Sequence, residues 1–276
     1  MSGGKGKSGS GKEAASKRSV EIKKDGAPRV ITQALLRGWP LPQPDEAGDK
    51  EDRGRVLVVG GAPEMPGAVV LAATAALRAG AGKLRIATCR SIAPFVAVSV
   101  PEARVFSLCE TEAGAIAATD ARKIAERANE TQAVLIGPGM VDEEAVRELL
   151  DGILPAVEKA RVILDAVPLK CLAGNTACLR PLEGRVILTP HAQEMAEMLG
   201  ADEEEIKRDP LRAARLAADE TRAVVALKGR ETFIVAPDGT AYSNRAGNVG
   251  LATSGSGDVL SGIIAGLAAR GAEPLQ

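Results

Sequence analysis

Asp258 follows three small residues, Gly255, Ser256 and Gly257, and precedes the apolar positions Val259, Ile263, Ile264 and Leu267 at helical spacing. Such a chain brings bare backbone amides to the mouth of a helix, where free N–H groups and the helix dipole attract an anion. A carboxylate beside them can take a proton from a hydroxyl. The loop and Asp258 thus combine what phosphoryl transfer requires, stabilisation of the moving charge and a base for the nucleophile. Read alone, the plainer reading of Asp258 is a helix cap, since Asp is a favoured N-cap.

Other residues of this kind sit where one apparent element gives way to the next. Lys228-Gly229-Arg230-Glu231-Thr232 ends one strand-like run and opens another. Its amides, ammonium and hydroxyl could hold a nucleotide's phosphate or ribose, or it could be a solvated hairpin turn. Gly247-Asn248-Val249-Gly250 leads flexibly toward the anion loop, with the Thr253 and Ser254 hydroxyls near the same mouth. His191 is the only histidine; Pro190 fixes the backbone before it and Glu194 lies one turn on. Gly137-Pro138-Gly139 is a tight turn or a place where ligand meets bare backbone. Asp165, after Val162-Ile163-Leu164, is a cap or a member of a metal and phosphate network.

The elements that must position these residues alternate along the chain. Arg55 to Val59 reads as a buried strand stopping at Gly60-Gly61, and the small-residue run from Gly67 to Gly80 as a helix able to pack close to a sheet. Strand patterns recur at Leu84–Thr88, Ala133–Ile136, Val162–Asp165 and Val186–Thr189, with helical stretches between. Ala223–Lys228 and Thr232–Ala236 suggest a hairpin, and a last helix opens at Asp258 and runs to Arg270. This order predicts an α/β fold, a mostly parallel central sheet with helices on both faces and ligands collected beyond the carboxyl ends of the strands.

Composition limits the partners. Of 276 residues, 45% are hydrophobic and 26% charged, enough for one large core, and Lys+Arg 35 against Asp+Glu 36 offers no charge imbalance to attract nucleic acid or membrane. Aromatic residues at 2% do not furnish a base-stacking platform. Cys89, Cys109, Cys171 and Cys178 form no CxxC pair, so reduced thiols are expected rather than zinc. With no apolar run of bilayer length and no signal-peptide pattern, a cytoplasmic location is expected. Residues 1–28, rich in Gly, Ser and Lys, read as a flexible tail before a single domain at 29–276. Within the tail Gly6 to Glu13 imitates a P-loop, but no strand precedes it and Glu13 stands where Ser or Thr is needed. Gly60-Gly61 to Gly67 does not fit the dinucleotide GxGxxG spacing either.

Six ordered blocks together resemble one family, the ADP- or ATP-dependent NAD(P)H-hydrate dehydratases of the ribokinase-like superfamily. They are RGRVLVVGGAPEMPGAVVLAATAALRAGAGKLRIAT, VLIGPGM, VILDAVPL, ILTPHAQEM, VVALKGRETFIVAPDG and GNVGLATSGSGDVLSGIIAGLAARG. The resemblance implies a three-layer α/β/α sandwich. It implies repair of nicotinamide cofactor hydrated at C6, with ADP or ATP as co-substrate and Mg2+ between its phosphates. The C6 hydroxyl is phosphorylated and phosphate is eliminated; bacterial members yield AMP and phosphate from ADP. Residue by residue it implies that Ala68, Gly139, His191 and Asp258 contact the hydrated dinucleotide. Lys228, Gly229, Arg230, Glu231, Thr232 and Gly257 would contact the nucleotide, the Gly255, Ser256 and Gly257 amides form the anion hole, and Asp258 act as base. A homo-oligomer and a separate epimerase partner are expected on the same ground.

Three departures accompany it. Relatives carry LDADAL where this chain has Leu164-Asp165-Ala166-Val167-Pro168-Leu169, so Val167 removes a carboxylate and the metal ligands stay unassigned. Ala192 and Gln193 replace a Pro-Gly turn, and the chain stops at Gln276 where relatives continue with helical sequence, which predicts exposed apolar surface beside the last helix. Two alternatives use the same loop: a ribokinase-like ATP-dependent kinase of a small vitamin-type alcohol, and a nucleotide-binding module without catalysis.

Overall fold

The computed structural model describes residues 26–43 and 49–276. Most of the expected tail, including the P-loop-like Gly6 to Glu13, lies outside the described residues. The strands are β1 (Arg29–Val30), β2 (Arg55–Val59), β3 (Lys83–Cys89), β4 (Arg104–Leu108), β5 (Ala133–Ile136), β6 (Arg161–Leu164), β7 (Val186–Leu188), β8 (Val224–Leu227), β9 (Thr232–Val235) and β10 (Ala241–Asn244). They form one sheet in the order β1-β10-β9-β8-β7-β6-β5-β2-β3-β4. Only the β9 pairings, to β8 and β10, are antiparallel; every other pairing is parallel.

After Arg55 at the start of β2, the central strands β2, β5 and β8 are runs of Val, Leu, Ile and Ala, and burial on both faces is why they lack the alternation of a half-exposed strand. The helices are α1 (Gln33–Arg37), α2 (Pro66–Arg78), α3 (Ala93–Ser99), α4 (Ala121–Ala128), α5 (Glu143–Ile153), α6 (Val167–Cys171), α7 (Ala192–Leu199), α8 (Glu203–Arg208), α9 (Pro210–Thr221) and α10 (Ser256–Ala269). Helices α2 and α10 pack together against β2, β3, β5 and β6, while α4, α5, α6, α7 and α9 touch in succession over the opposite face. The result is the expected three-layer α/β/α arrangement. Among the described residues no helix is long and apolar enough to cross a membrane.

Strand order reverses once where it matters. From β2 the chain steps outward to β3 and β4, then returns so that β5 lies on the other flank of β2. The loops after β2 and β5 flank this switch point, the place beside which α/β sheets collect ligands in a crevice. Here the two loops are locked together: Gly61 N–H donates to Pro138 O (2.8 Å) and Gly137 N–H to Val59 O (3.1 Å).

Helix α10 reaches the crevice because it lies unusually close to α2. Gly262 and Gly266 face the Ala72 and Ala76 carbonyls, and a Cβ at either glycine would collide with that backbone. Along its other flank an apolar groove of about 150 Å3 is lined by Trp39, Ile187, Val224, Tyr242, Ile264 and Leu267. On α10 itself Leu260 and Ile263 remain 37% and 39% exposed.

The expected effect of Gly262→Ala is therefore a loss of about 2 kcal/mol or more, since one methyl must push two helices apart in a packed interior. Thermal or urea unfolding beside wild type measures it. Gly67→Ala in the first turn of α2, where nothing lies within 4 Å of a Cβ, should leave stability unchanged or slightly raised.

Candidate active site

Apart from Thr232, which opens β9, the candidate residues stand beyond the carboxyl end of a strand or at the start of the helix that follows. Asp165 directly follows β6 and is 3% exposed. Register places it beside Thr189, because Leu164 pairs with Leu188 and the next residues are these two. The Thr189 hydroxyl donates to Asp165 Oδ1 (2.7 Å), and Lys228 Nζ, reaching in from the end of β8, donates to the same oxygen (3.0 Å). Chain direction then changes sharply through Ala166, held at φ 60° and ψ −133°. For a residue with a Cβ that conformation costs of order 1–3 kcal/mol and persists only where surrounding structure enforces it.

His191 and Glu194 form a capping box at the start of α7. The His191 side chain accepts from the Gln193 and Glu194 amides (3.2 and 3.3 Å), while Glu194 Oε2 accepts the His191 N–H (2.8 Å). That pattern makes Nδ1 the acceptor and leaves the proton on Nε2. The buried Glu194 carboxylate also lies 3.9 Å from Lys228 Nζ, and Lys228 N–H donates to Pro190 O (2.8 Å). One ammonium thus meets two buried carboxylates, one at the end of β6 and one in the first turn of α7.

The anion loop faces this ammonium. Gly255, at φ 82°, is the N-cap of α10, so the helix opens at Ser256, two residues earlier than the sequence reading. Asp258 is the third helical residue and not the cap, which removes the plainer reading of that side chain. Of the three amides assigned to an anion hole, Ser256 N–H is already donated to Thr253 O (3.2 Å). The first helical bond runs from Val259 N–H to Gly255 O (3.0 Å), which leaves the Gly257 and Asp258 amides ahead of the ladder. A Cβ at Gly257 would stand 3.8 Å from Lys228 Nζ.

Asp258 is half-buried, and its pKa is raised above the usual Asp value. Loss of hydration is the main cause and the nearby Asp165 carboxylate the second; Lys228 and the residue's own amide act in the opposite direction. A carboxylate that resists ionisation is a stronger base once ionised.

These contacts close into a ring around the crevice. Gly139 lies against Ala68, where its Cβ would fall 2.9 Å from the alanine methyl. Gly137, at φ 137°, sits so close to the Asp165 carbonyl that any side chain would collide with it. Asp165 holds Lys228, Lys228 borders Gly257, and Gly255 abuts Leu71 one turn along α2 from Ala68. Among the nucleotide candidates Lys228 points inward and Thr232 begins β9, while Gly229 and Arg230 form the turn between β8 and β9. Glu231 pairs with Arg245 (2.9 Å), which holds its carboxyl below the usual range and ties this turn to the segment leading into α10. Neither the apolar groove nor a polar hollow beside β4 is lined by any of these residues.

The sequence reading passed over Thr189, although a threonine ending a buried strand before Pro190-His191 is a visible signal. Glu194 was noted only for its spacing from His191. Val167 opens α6 packed against the core, so a carboxylate there would meet apolar neighbours.

The fold is that of the ribokinase-like class. A ribokinase-like superfamily protein from Enterococcus faecalis superposes with a TM-score of 0.74 at 23% identity, covering 88% of this chain and 80% of that one. More specifically, the NAD(P)H-hydrate dehydratase family profile matches residues 56–276, and the chain belongs to that family. It is 44% identical over 249 residues to an ADP-dependent (S)-NAD(P)H-hydrate dehydratase of Xanthomonas campestris, covering 90% of this chain and 82% of the relative. It also resembles the Bacillus subtilis ADP/ATP-dependent NAD(P)H-hydrate dehydratase co-crystallised with ATP/Mg2+. There the TM-score is 0.69 at 31% identity, with 88% and 82% covered.

Two outcomes follow from this geometry. Because the Asp258 pKa is raised on folding, its ionisation opposes folding, and that penalty is absent below the unfolded value of about 3.9 and complete once pH exceeds the folded value. Asp258→Asn should therefore melt at higher temperature than wild type at pH 7, with the gain vanishing below about pH 4 in a melting series. His191→Ala should cost about 1 kcal/mol through the lost cap, whereas His191→Asn, which keeps a capping group, should recover most of it in the same melts.

Proposed function

We propose that this protein returns the S hydrates of NADH and NADPH, (6S)-NADHX and (6S)-NADPHX, to NADH and NADPH, using ADP and releasing AMP and phosphate. The observation that carries the reading is Asp258 on the first turn of α10, half-buried and raised in pKa, with the Lys228 ammonium beside the Gly257 position. In this reading Asp258 takes the proton of the C6 hydroxyl, whose oxygen attacks the terminal phosphorus of ADP. The P–O bond to AMP breaks and AMP departs. Phosphate is a far better leaving group than hydroxide. The ring nitrogen's lone pair expels it from C6, and loss of the C5 proton restores the ring double bond.

The remaining residues divide the ligands between them. Ala68, Gly139 and His191 border the dinucleotide, and Lys228 to Thr232 with Gly257 border the nucleotide. Of the loop amides, Gly257 N–H stabilises the transferring charge, and Ser256 N–H would first have to leave Thr253 O. As to magnesium, no group of three or more His, Cys, Asp or Glu gathers into a cation site among the described residues, and Asp165 and Glu194 already face Lys228. In this reading magnesium enters as the counter-ion of the nucleotide phosphates, the usual habit of that cation. The four cysteines are free, which suits a reducing cytoplasm, and a separate epimerase would supply the S hydrate.

Enzymatically hydrated NADH incubated with ADP and with ATP, side by side, should regain the absorbance of reduced nicotinamide. Phosphorylation of a vitamin-type alcohol with no such recovery would transfer the assignment to a kinase. Asp258→Asn should bind nucleotide nearly as wild type yet lose about a hundred- to ten-thousand-fold in turnover; an unchanged rate would remove Asp258 from the mechanism.

A further inference from the structure

We propose that Asp165 is a positioning residue of this reaction: its buried carboxylate sets where the Lys228 ammonium stands at the mouth of α10. The inference rests on the nucleotide-binding role proposed for Lys228 and concerns a residue to which no direct ligand contact is assigned.

The direction of control follows from which partner can move. The Asp165 backbone is fixed: its N–H donates to Ile136 O (3.2 Å), its carbonyl is overlaid by Gly137, and its chain turns at once through the constrained Ala166. Oδ1 is held by the hydroxyl of Thr189, itself 1% exposed and bound through its own N–H to Leu164 O (3.2 Å). Lys228 is anchored at its backbone to Pro190 O and carries four rotatable bonds out to an ammonium whose side chain is 21% exposed, held at hydrogen-bond distance by Asp165 and, farther off at 3.9 Å, by the Glu194 carboxylate. An unanchored lysine would sample solvent and pay the entropy of ordering when phosphate binds. With Oδ1 3.0 Å away the ammonium is already in place.

Asp165 acts on Asp258 as well, through charge. The charged groups facing Asp258 are Asp165 from the end of β6 and Lys228 from the end of β8, while Glu194 on α7 faces Lys228; α2, packed along α10, presents Leu71, Ala72 and Ala76. Removing the Asp165 charge and releasing the ammonium toward Asp258 both favour the ionised base, so the two effects share a sign.

Asp165→Asn keeps the shape and removes the charge. Its dissociation constant for ADP, titrated calorimetrically on the full chain, is expected to rise roughly tenfold with the loss of one charge-assisted hydrogen bond. The acid limb of kcat/KM, which reports the free enzyme's base, should move to lower pH, whereas Lys228→Met should move it to higher pH. A merely structural Asp165 would lower the melting temperature and leave the ADP affinity and the limb where they were. That result, obtained while Lys228→Met weakens ADP, overturns the inference. Should Lys228→Met bind ADP as wild type does, the nucleotide role of Lys228 fails first and the inference falls with it. If Asp165→Asn does not fold, Thr189→Val decides: a weakening of a few-fold supports the positioning role, and wild-type affinity overturns it.

Discussion

A carboxylate taken out of water must be matched by charge and hydrogen bonds, and the crevice of this molecule is arranged around the matching of Asp165. The residue ends a strand whose last three positions are fully buried, so it is carried into the interior by neighbours that have no use for its charge. Sheet register brings the Thr189 hydroxyl alongside, and a slip of one residue between β6 and β7 would turn either side chain to the opposite face. Lys228 completes the match from β8, two strands away. Three strand ends are thereby tied at one point, and the loop after β5 is pressed onto it at Gly137.

The second constraint is steric. Helix α10 lies closer to α2 than side chains usually allow, and the glycines at 262 and 266 of α10 against the alanines of α2 permit that approach. The same small-residue seam carries Gly255 to Leu71 and so sets the anion loop across from Gly139 and Ala68. Packing deep in the helix pair and ligand geometry at its mouth are one arrangement.

The parallel sheet was legible because β2, β5, β6, β7 and β8 are short apolar runs, each followed by turn or polar residues, and the glycine loop because its spacing is local. What escaped was decided at a distance. β4 is an edge strand whose sequence Arg104-Val105-Phe106-Ser107-Leu108 mixes polar with apolar residues, and β10 ends in Ser243-Asn244; both are strands because a neighbour offers them a ladder. β1 is only two residues long and exists through its pairing with β10. Within the site, Asp258 was recognised by type and spacing, but whether it capped the helix depended on Gly255 adopting a left-handed backbone one turn earlier. The Thr189 contact to Asp165 could not be read before the register was known.

The arrangement also bears on how an anion is received. Asp165, Glu194 and Asp258 face one ammonium, with the amides at the head of α10 adding partial positive charge. Such a site does not attract phosphate by net charge. In the proposed reaction it would order a cation and a base and leave much of the phosphate charge to be matched from outside, which suits a nucleotide arriving with its own counter-ion. The stability withheld by the poorly hydrated Asp258 would, in the proposed reaction, be the same energy that makes it a competent base, a conflict between fold and chemistry. Lys228 limits that conflict because it lowers the pKa of Asp258 while bound to Asp165. Its position would therefore govern, in the proposed reaction, both how readily Asp258 ionises and where the phosphate is met.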